Sequence, residues 1–123
     1  MNTVFVYGTL KKGWGNNTLL ANSTYKGAGT VKGTLINLGS FPALLKEGDS
    51  IVHGELYDVT DAILSMLDML EGHPYFYKRE LMNVKHDTSG DILTKVWAYC
   101  VPEAFRQSHT VIMNGNWRGE WVS

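Results

Sequence analysis

One segment constrains the fold of this chain more than any other. Residues 61–71, Asp-Ala-Ile-Leu-Ser-Met-Leu-Asp-Met-Leu-Glu, form the clearest helical pattern in a sequence otherwise dominated by strand-like runs. Ile63, Met66, Leu67 and Leu70 predict an i, i+3, i+4, i+7 apolar stripe. Thr60 is placed to cap the helix and Asp61 suits the positive end of its dipole. Gly72 and then Pro74 mark its stop. The apolar stripe needs a surface to lie on, and the surrounding runs are what the chain offers.

Those runs read as strands. Residues 3–7, Thr-Val-Phe-Val-Tyr, are β-branched and aromatic without alternation, which predicts a strand buried on both faces. Residues 24–38 carry Gly27, Gly29 and Gly33 and predict one or two strands with bulges or tight bends. After the short apolar run 41–45, Lys46-Glu47-Gly48-Asp49 reads as a hairpin turn, and 51–59 alternates like a half-exposed strand. Residues 75–85 and 92–101 predict two more strands, linked by the turn-rich 86–91. Asn16 and Asn17 stand where an Asn would cap a short helix at 18–21, and a second short helix is expected near 103–107. Strands with one good helix among them predict the α+β class, a curved or closed sheet with helices outside it. At 123 residues, with no repeat, linker or low-complexity stretch, one domain over 1–123 is expected.

Charge and cysteine content narrow the function. The formal charge is −1 and the basic residues are scattered, unlike the basic face of a nucleic-acid binder. Lys11-Lys12 is too short to count as a patch. The single cysteine, Cys100, excludes an intrachain disulfide and fits a reducing compartment. The N-terminal pattern predicts no signal peptide, and no apolar run reaches membrane-spanning length, so a cytosolic protein is expected.

Most familiar chemistries find no support. His53, His73, His86 and His109 have no metal-ligand spacing, and there is no Cys-x-x-Cys, so no metal site is expected. Cys100 lies within a strand run and reads as a buried, inert thiol. There is no Gly-x-Ser-x-Gly elbow and no Walker loop. Among the carboxylates, Glu71 stands out as the last residue of the helix. There the negative end of the dipole and partial burial would both raise its pKa. A Lys or Arg would suit that position better, and a residue that breaks a local rule is a candidate functional residue. A solvated helix end is the competing reading. Tyr77 and Arg79, at i and i+2 on the next strand run, would share one face, either as a surface pair or beside Glu71. Tyr7-Gly8-Thr9-Leu10, where a strand ends in a Gly-Thr pair, is either an ordinary turn or the wall of a site.

These segments together resemble the γ-glutamylcyclotransferase-like family, including the γ-glutamylamine cyclotransferases and the AIG2-like group. Val4-Phe5-Val6-Tyr7-Gly8-Thr9-Leu10 is similar to its Tyr-Gly-Ser/Thr-Leu signature. Gly54-Glu55-Leu56-Tyr57 resembles its Gly-x-Leu/Val-Tyr strand, and Leu67-Asp68-x-x-Glu71-Gly72-x-x-x-x-Tyr77-x-Arg79 resembles its central segment. Trp97-Ala98-Tyr99 and Gly115-Asn116-Trp117 follow in the expected order. The resemblance implies a small mixed β-barrel with flanking helices. It implies a cofactor-independent enzyme that cyclises a γ-glutamyl amine or γ-glutamyl amino acid, releasing 5-oxoproline and a free amine. Glu71 would be the catalytic acid/base. Tyr7, Gly8, Thr9 and Leu10 would form the substrate-binding wall, with Tyr77 and Arg79 as further binding residues. The chain is at the short end for the family, with little room for a lid, and the amine side of the substrate stays undefined. Two other readings stay open: a small-molecule binding protein on the same barrel without turnover, and an interaction module built on Trp117 and Trp121.

Overall fold

A computed structural model describes residues 1–117 of the chain. Six strands form one sheet: β1 (Asn2–Val6), β2 (Thr24–Asn37), β3 (Pro42–Val59), β4 (Lys78–His86), β5 (Ile92–Cys100) and β6 (Thr110–Val111). Helix α1 (Asp61–Glu71) lies between β3 and β4, and 3₁₀-helices cover Gly15–Leu20 and Glu103–Ser108. β1 pairs antiparallel with β3, β3 with β2, β2 with β4 and β4 with β5. β5 then pairs parallel with β1 through Val4 and Trp97, which closes a five-stranded mixed barrel. β6 adds to β2 at the rim. The expected α+β class and barrel are therefore present.

Strand alternation divides the core in two. Phe5, Leu35, Leu44, Val52, Leu56, Val84 and Val96 come from all five barrel strands and pack together inside. Val4, Val6, Tyr57, Val59 and Tyr99 face the other way and pack with Leu64 and Leu67 of α1. β1 is buried on both faces for this reason, as its unalternating sequence predicts.

Four expectations need correction. Lys46–Asp49 is not a hairpin turn, because β3 runs straight through it. β2 pairs Gly33 with Ser50 but Thr34 with Leu45, so these four residues bulge out of the ladder. Gly48 takes a φ of +113°, and the Thr34 hydroxyl donates to Glu47 O at 3.0 Å. The chain reverses instead at Leu38–Phe41, where Leu38 N donates to Phe41 O. Second, β4 starts at Lys78 rather than Tyr75. The amides of Tyr75, Phe76 and Tyr77 donate to carbonyls at the end of α1 and are withheld from the ladder. Third, the first 3₁₀-helix is preceded by Trp14 and has no side-chain cap, because Asn16 and Asn17 turn back to the 7–10 loop.

The fourth correction is the rotation of α1. Its buried face is Leu64 and Leu67, with Ile63, Asp68 and Glu71 beside them, while Met66 and Leu70 are exposed or half-exposed. Apolar residues at 63, 64, 66, 67, 69 and 70 allow two overlapping stripes, and periodicity alone cannot choose between them. The polar partners of Asp68 on the sheet decide it. The N-terminus follows the sequence, with Thr60 Oγ1 accepting from Ile63 N at 3.2 Å.

Candidate functional site

The end of α1 delivers Glu71. Gly72 adopts the left-handed conformation at φ 69°, ψ 30°, and its amide and that of His73 donate back to Met69 and Asp68 carbonyls. That cap stops the helix with Glu71 on its inner face. One turn earlier, Asp68 is clamped to the barrel. Its carboxylate accepts from Arg79 Nε at 2.8 Å, from an Arg79 terminal nitrogen at 3.0 Å and from Tyr99 Oη at 2.7 Å. The Arg79 guanidinium lies 4.3 Å over the Trp97 ring, and its backbone N–H donates to His73 Nδ1. A bidentate Arg–carboxylate pair also fixes orientation. The rotation of α1, and with it the aim of Glu71, is held by β4 and β5.

Glu71 opens into a cavity of about 290 Å³, at the low end for small-molecule sites. Tyr7, Gly8, Thr9 and Leu10 form one side, with Asn16 behind them. Phe5, Val6, Tyr99 and Tyr77 form the rest of the interior, and Phe41, Pro42, Leu70 and Phe76 the remaining lining. The predicted residues Glu71, Tyr7, Gly8, Thr9, Leu10 and Tyr77 therefore meet in one cavity. Arg79 is placed outside the lining, bound to Asp68.

Burial raises the Glu71 pKa from 4.5 to about 7. Desolvation is the cause. The nearby phenols are neutral. Burial lifts Tyr7 well above the ordinary range, and Tyr77 is lifted first by burial and then by the Glu71 charge. Each phenol proton is already committed: Tyr7 Oη donates to Tyr99 O at 2.5 Å, Tyr77 Oη to Pro42 O at 2.6 Å and Tyr99 Oη to Asp68. These rings shape the cavity and tie its parts together, leaving donation to a ligand to other groups. The loop backbone supplies such groups, since the amides of Gly8, Thr9 and Leu10 have no acceptor among the described residues. Asn16 Nδ2 donates to Thr9 Oγ1 at 2.9 Å and Asn17 Nδ2 to Leu10 O at 2.7 Å, which holds the loop in shape.

Gly8 has a packing reason. A Cβ there would lie 2.8 Å from Pro42 Cγ and 2.9 Å from Cδ, in a ring that cannot rotate away. Gly8→Ala is expected to cost about 1–3 kcal/mol of stability by overpacking, measured by urea denaturation. A change below about 0.5 kcal/mol would show that the ring yields freely.

The remaining candidates are placed away from chemistry. Cys100 is buried, and burial pushes its thiol up to about 12. Among the described residues, no cluster of three or more His, Cys, Asp or Glu side chains could hold a metal ion. No helix among them is long and apolar enough to cross a membrane. Lys11 Nζ donates to Trp117 O at 2.9 Å, and Lys12 lies 3.5 Å over the Tyr25 ring. Trp117 is buried against Trp14, with ring centroids 4.8 Å apart, so it presents no exposed interaction surface. Trp121 lies outside the described residues.

A sequence profile of the family described as gamma-glutamyl cyclotransferase, AIG2-like, matches residues 4–119. The chain belongs to this family. A Vibrio cholerae protein whose name marks it as an unconfirmed gamma-glutamylcyclotransferase is 38% identical over 116 residues, covering 93% of each chain. The rat gamma-glutamylaminecyclotransferase is 32% identical over 97 residues, covering 69% of this chain and 64% of its own. Among solved structures, the mouse AIG2-like protein superposes with a TM-score of 0.73 at 29% identity, covering 82% of this chain and 77% of the mouse chain. Within this gamma-glutamylcyclotransferase family barrel, sequence reasoning missed Phe5, Val6, Asn16, Phe41, Pro42, Leu70, Phe76 and Tyr99 as cavity residues. Tyr99, in the aromatic Trp97-Ala98-Tyr99 run, Phe5 and Val6, next to the 7–10 loop, and Leu70, beside Glu71, lay within segments the sequence had singled out. The others reach the cavity only through folding.

Proposed function

We propose that this protein is a γ-glutamyl cyclotransferase that releases 5-oxoproline and a free amine, with Glu71 as general base and then general acid. The observation that carries the reading is a carboxylate with a pKa near 7 sharing a small cavity with loop amides that have no acceptor among the described residues. Family membership and the relatives' names support it.

The α-amine of the γ-glutamyl group forms a bond to its own γ-carbonyl carbon, closing a five-membered ring. Glu71 takes the proton that this nitrogen sheds. The carbonyl oxygen becomes an oxyanion, held by amides of the Gly8–Leu10 loop. The carbon–nitrogen bond to the departing amine then breaks, and Glu71 returns the proton to that nitrogen. Because both reactants are in one molecule, up to ~7–11 kcal/mol of entropic barrier is already met by the substrate. Proton transfer is the remaining problem. A carboxylate at its ordinary value of 4.5 takes a proton from an ammonium near ~8 at a cost of about 5 kcal/mol. At about 7 that cost falls to about 1.4 kcal/mol. The same value makes the protonated carboxyl a useful acid toward the leaving nitrogen.

The test is 5-oxoproline release from a panel of γ-glutamyl amines and γ-glutamyl amino acids as a function of pH. The base must be ionised to act, so kcat/KM should rise with pH through about 7. A rise centred near 4.5 would rule out a buried carboxylate as the base. Tight binding without product across the panel would favour the non-catalytic reading.

A further inference from the structure

A second recess lies where the barrel wall opens. β2 pairs with β4 only through Gly29–His86 and Thr30–Lys85. Beyond Thr30 the two strands part, and β2 continues beside β3 until β6 joins it at Ile36. A groove of about 750 Å³ occupies this region, against about 290 Å³ for the Glu71 cavity, and the two linings share no residue. A volume of this size suits a small molecule. Val31 and Met82 of the groove are buried members of the barrel core, while Ile51, Leu81 and Ile92 are exposed. The groove therefore joins an uncovered aliphatic surface to the edge of the core.

Its charge has one sign. Among the described residues, every charged side chain of the lining is a lysine: Lys32, Lys46, Lys85 and Lys95. That is half of the lysines in a chain whose net charge is −1. Lys46 has a partner in Glu80 at 3.8 Å. Lys32, Lys85 and Lys95 form no ion pair among the described residues. Ammonium groups gathered without carboxylates repel one another, and an anion among them offsets that repulsion.

Lys95 is held there by an unusual backbone. Thr94 and Lys95 of β5 together stand opposite Asn83 of β4, which makes a bulge. Lys95 takes a φ of +60°, and every other positive φ among the described residues belongs to a glycine. Glycine is the usual occupant of a left-handed bulge position, because a side chain there is strained. Lys95 is exposed, so packing gives no reason for the strain. What the bulge achieves is to set a fourth ammonium on the groove lining.

We infer that this groove is a second binding site, for a small organic anion with an apolar body. Its carboxylate, phosphate or sulfate head pairs with Lys32, Lys85 and Lys95, and its body covers Ile51, Leu81 and Ile92. The inference is independent of the cyclotransferase reading, since it uses no residue of the Glu71 cavity.

Titrations with decanoate, acetate and decyltrimethylammonium, followed by two-dimensional amide NMR, test it. Acetate keeps the head without the body, and decyltrimethylammonium keeps the body with the opposite charge. Decanoate should shift the amides of residues 30–32, 81–85 and 92–95 and bind about tenfold or more tighter than either control. Lys95→Gly removes a charge and relieves the backbone. It should weaken decanoate binding about threefold or more, with the urea midpoint unchanged or raised. Lys32→Gln, at an exposed position of β2, should weaken it likewise. Shifts confined to residues 7–10 and 71–77, or undiminished binding in both variants, overturn the inference. So does acetate or decyltrimethylammonium binding as tightly as decanoate. Sedimentation with phosphatidylglycerol vesicles in the absence of decanoate binding also overturns it, because the lysines would then serve a lipid surface.

Discussion

Glu71→Gln should abolish most 5-oxoproline release while making the protein more stable at pH 8. The activity loss is expected at about 10²–10⁴-fold in kcat, the usual contribution of a positioned general acid–base. Glutamine keeps the shape of the side chain but can neither take the amine proton nor return it. The stability gain follows from linkage. The folded state raises the Glu71 pKa from 4.5 to about 7, so it favours the protonated form. Stability from this group is fully present below pH 4.5 and is lost as pH rises through about 7. At pH 8 the wild type keeps a buried charge worth about 2–3 kcal/mol of instability, which a neutral glutamine removes. Urea denaturation of both proteins should therefore give curves that separate at pH 8 and converge at pH 4. A folded variant that retains wild-type turnover would sink the mechanism. Equal stabilities at pH 8 would show that the carboxylate is solvated.

Asp68→Ala should be the most damaging change to the scaffold of the site. It leaves the Arg79 guanidinium and the Tyr99 hydroxyl without their acceptor in a part-buried setting. Removing one partner of a buried ion pair costs ~3–5 kcal/mol, and partial exposure of this pair lowers the expected loss to about 2–3 kcal/mol. Asp68 lies outside the cavity lining, so it acts as a positioning residue for Glu71. Measured where the variant is folded, kcat should fall about tenfold or more with KM changed less than threefold. Asp68→Asn, which keeps an oxygen facing Arg79 and Tyr99, should recover part of both losses. A stability change under 1 kcal/mol, or a loss confined to KM, would refute the clamp.

The clamp also explains how the site eluded sequence reasoning in places. The Asp68 and Arg79 positions stood inside a recognisable segment, but pairing between them was not visible from Tyr77 and Arg79 lying at i and i+2. That spacing suggested a shared strand face. In the structure the amides of residues 75–77 go to the helix end, so Tyr77 precedes β4 and reaches Pro42, while Arg79 turns to α1. The helix stripe failed for a related reason. Six large apolar residues in α1 left two rotations open, and a single charged residue with partners on β4 and β5 settled it. Lys46–Asp49 carried turn chemistry, but its glycine served a bulge within a continuous strand.

What could be read directly was set by interactions among near neighbours. The α1 cap and glycine stop, the doubly buried β1 and the bulge-prone β2 depend on sterics and hydrogen bonds a few residues apart. The Glu71 position was also legible, because a carboxylate at a helix end breaks a local rule. The upward direction of its pKa shift was legible as well, but its size, to about 7, was not, since desolvation depends on which distant groups exclude water. The same holds for the phenols, whose protons go to partners as far as 92 residues away. An aromatic cluster beside the cavity joins Phe41 of the β2–β3 turn to Phe76 after α1 and Phe105 near the C-terminus. Only closure of the barrel brings these segments together. Local patterning therefore specified most of the elements and singled out the Glu71 carboxylate, while burial and long-range pairing decided how far its pKa rises, its aim and the surface beside it.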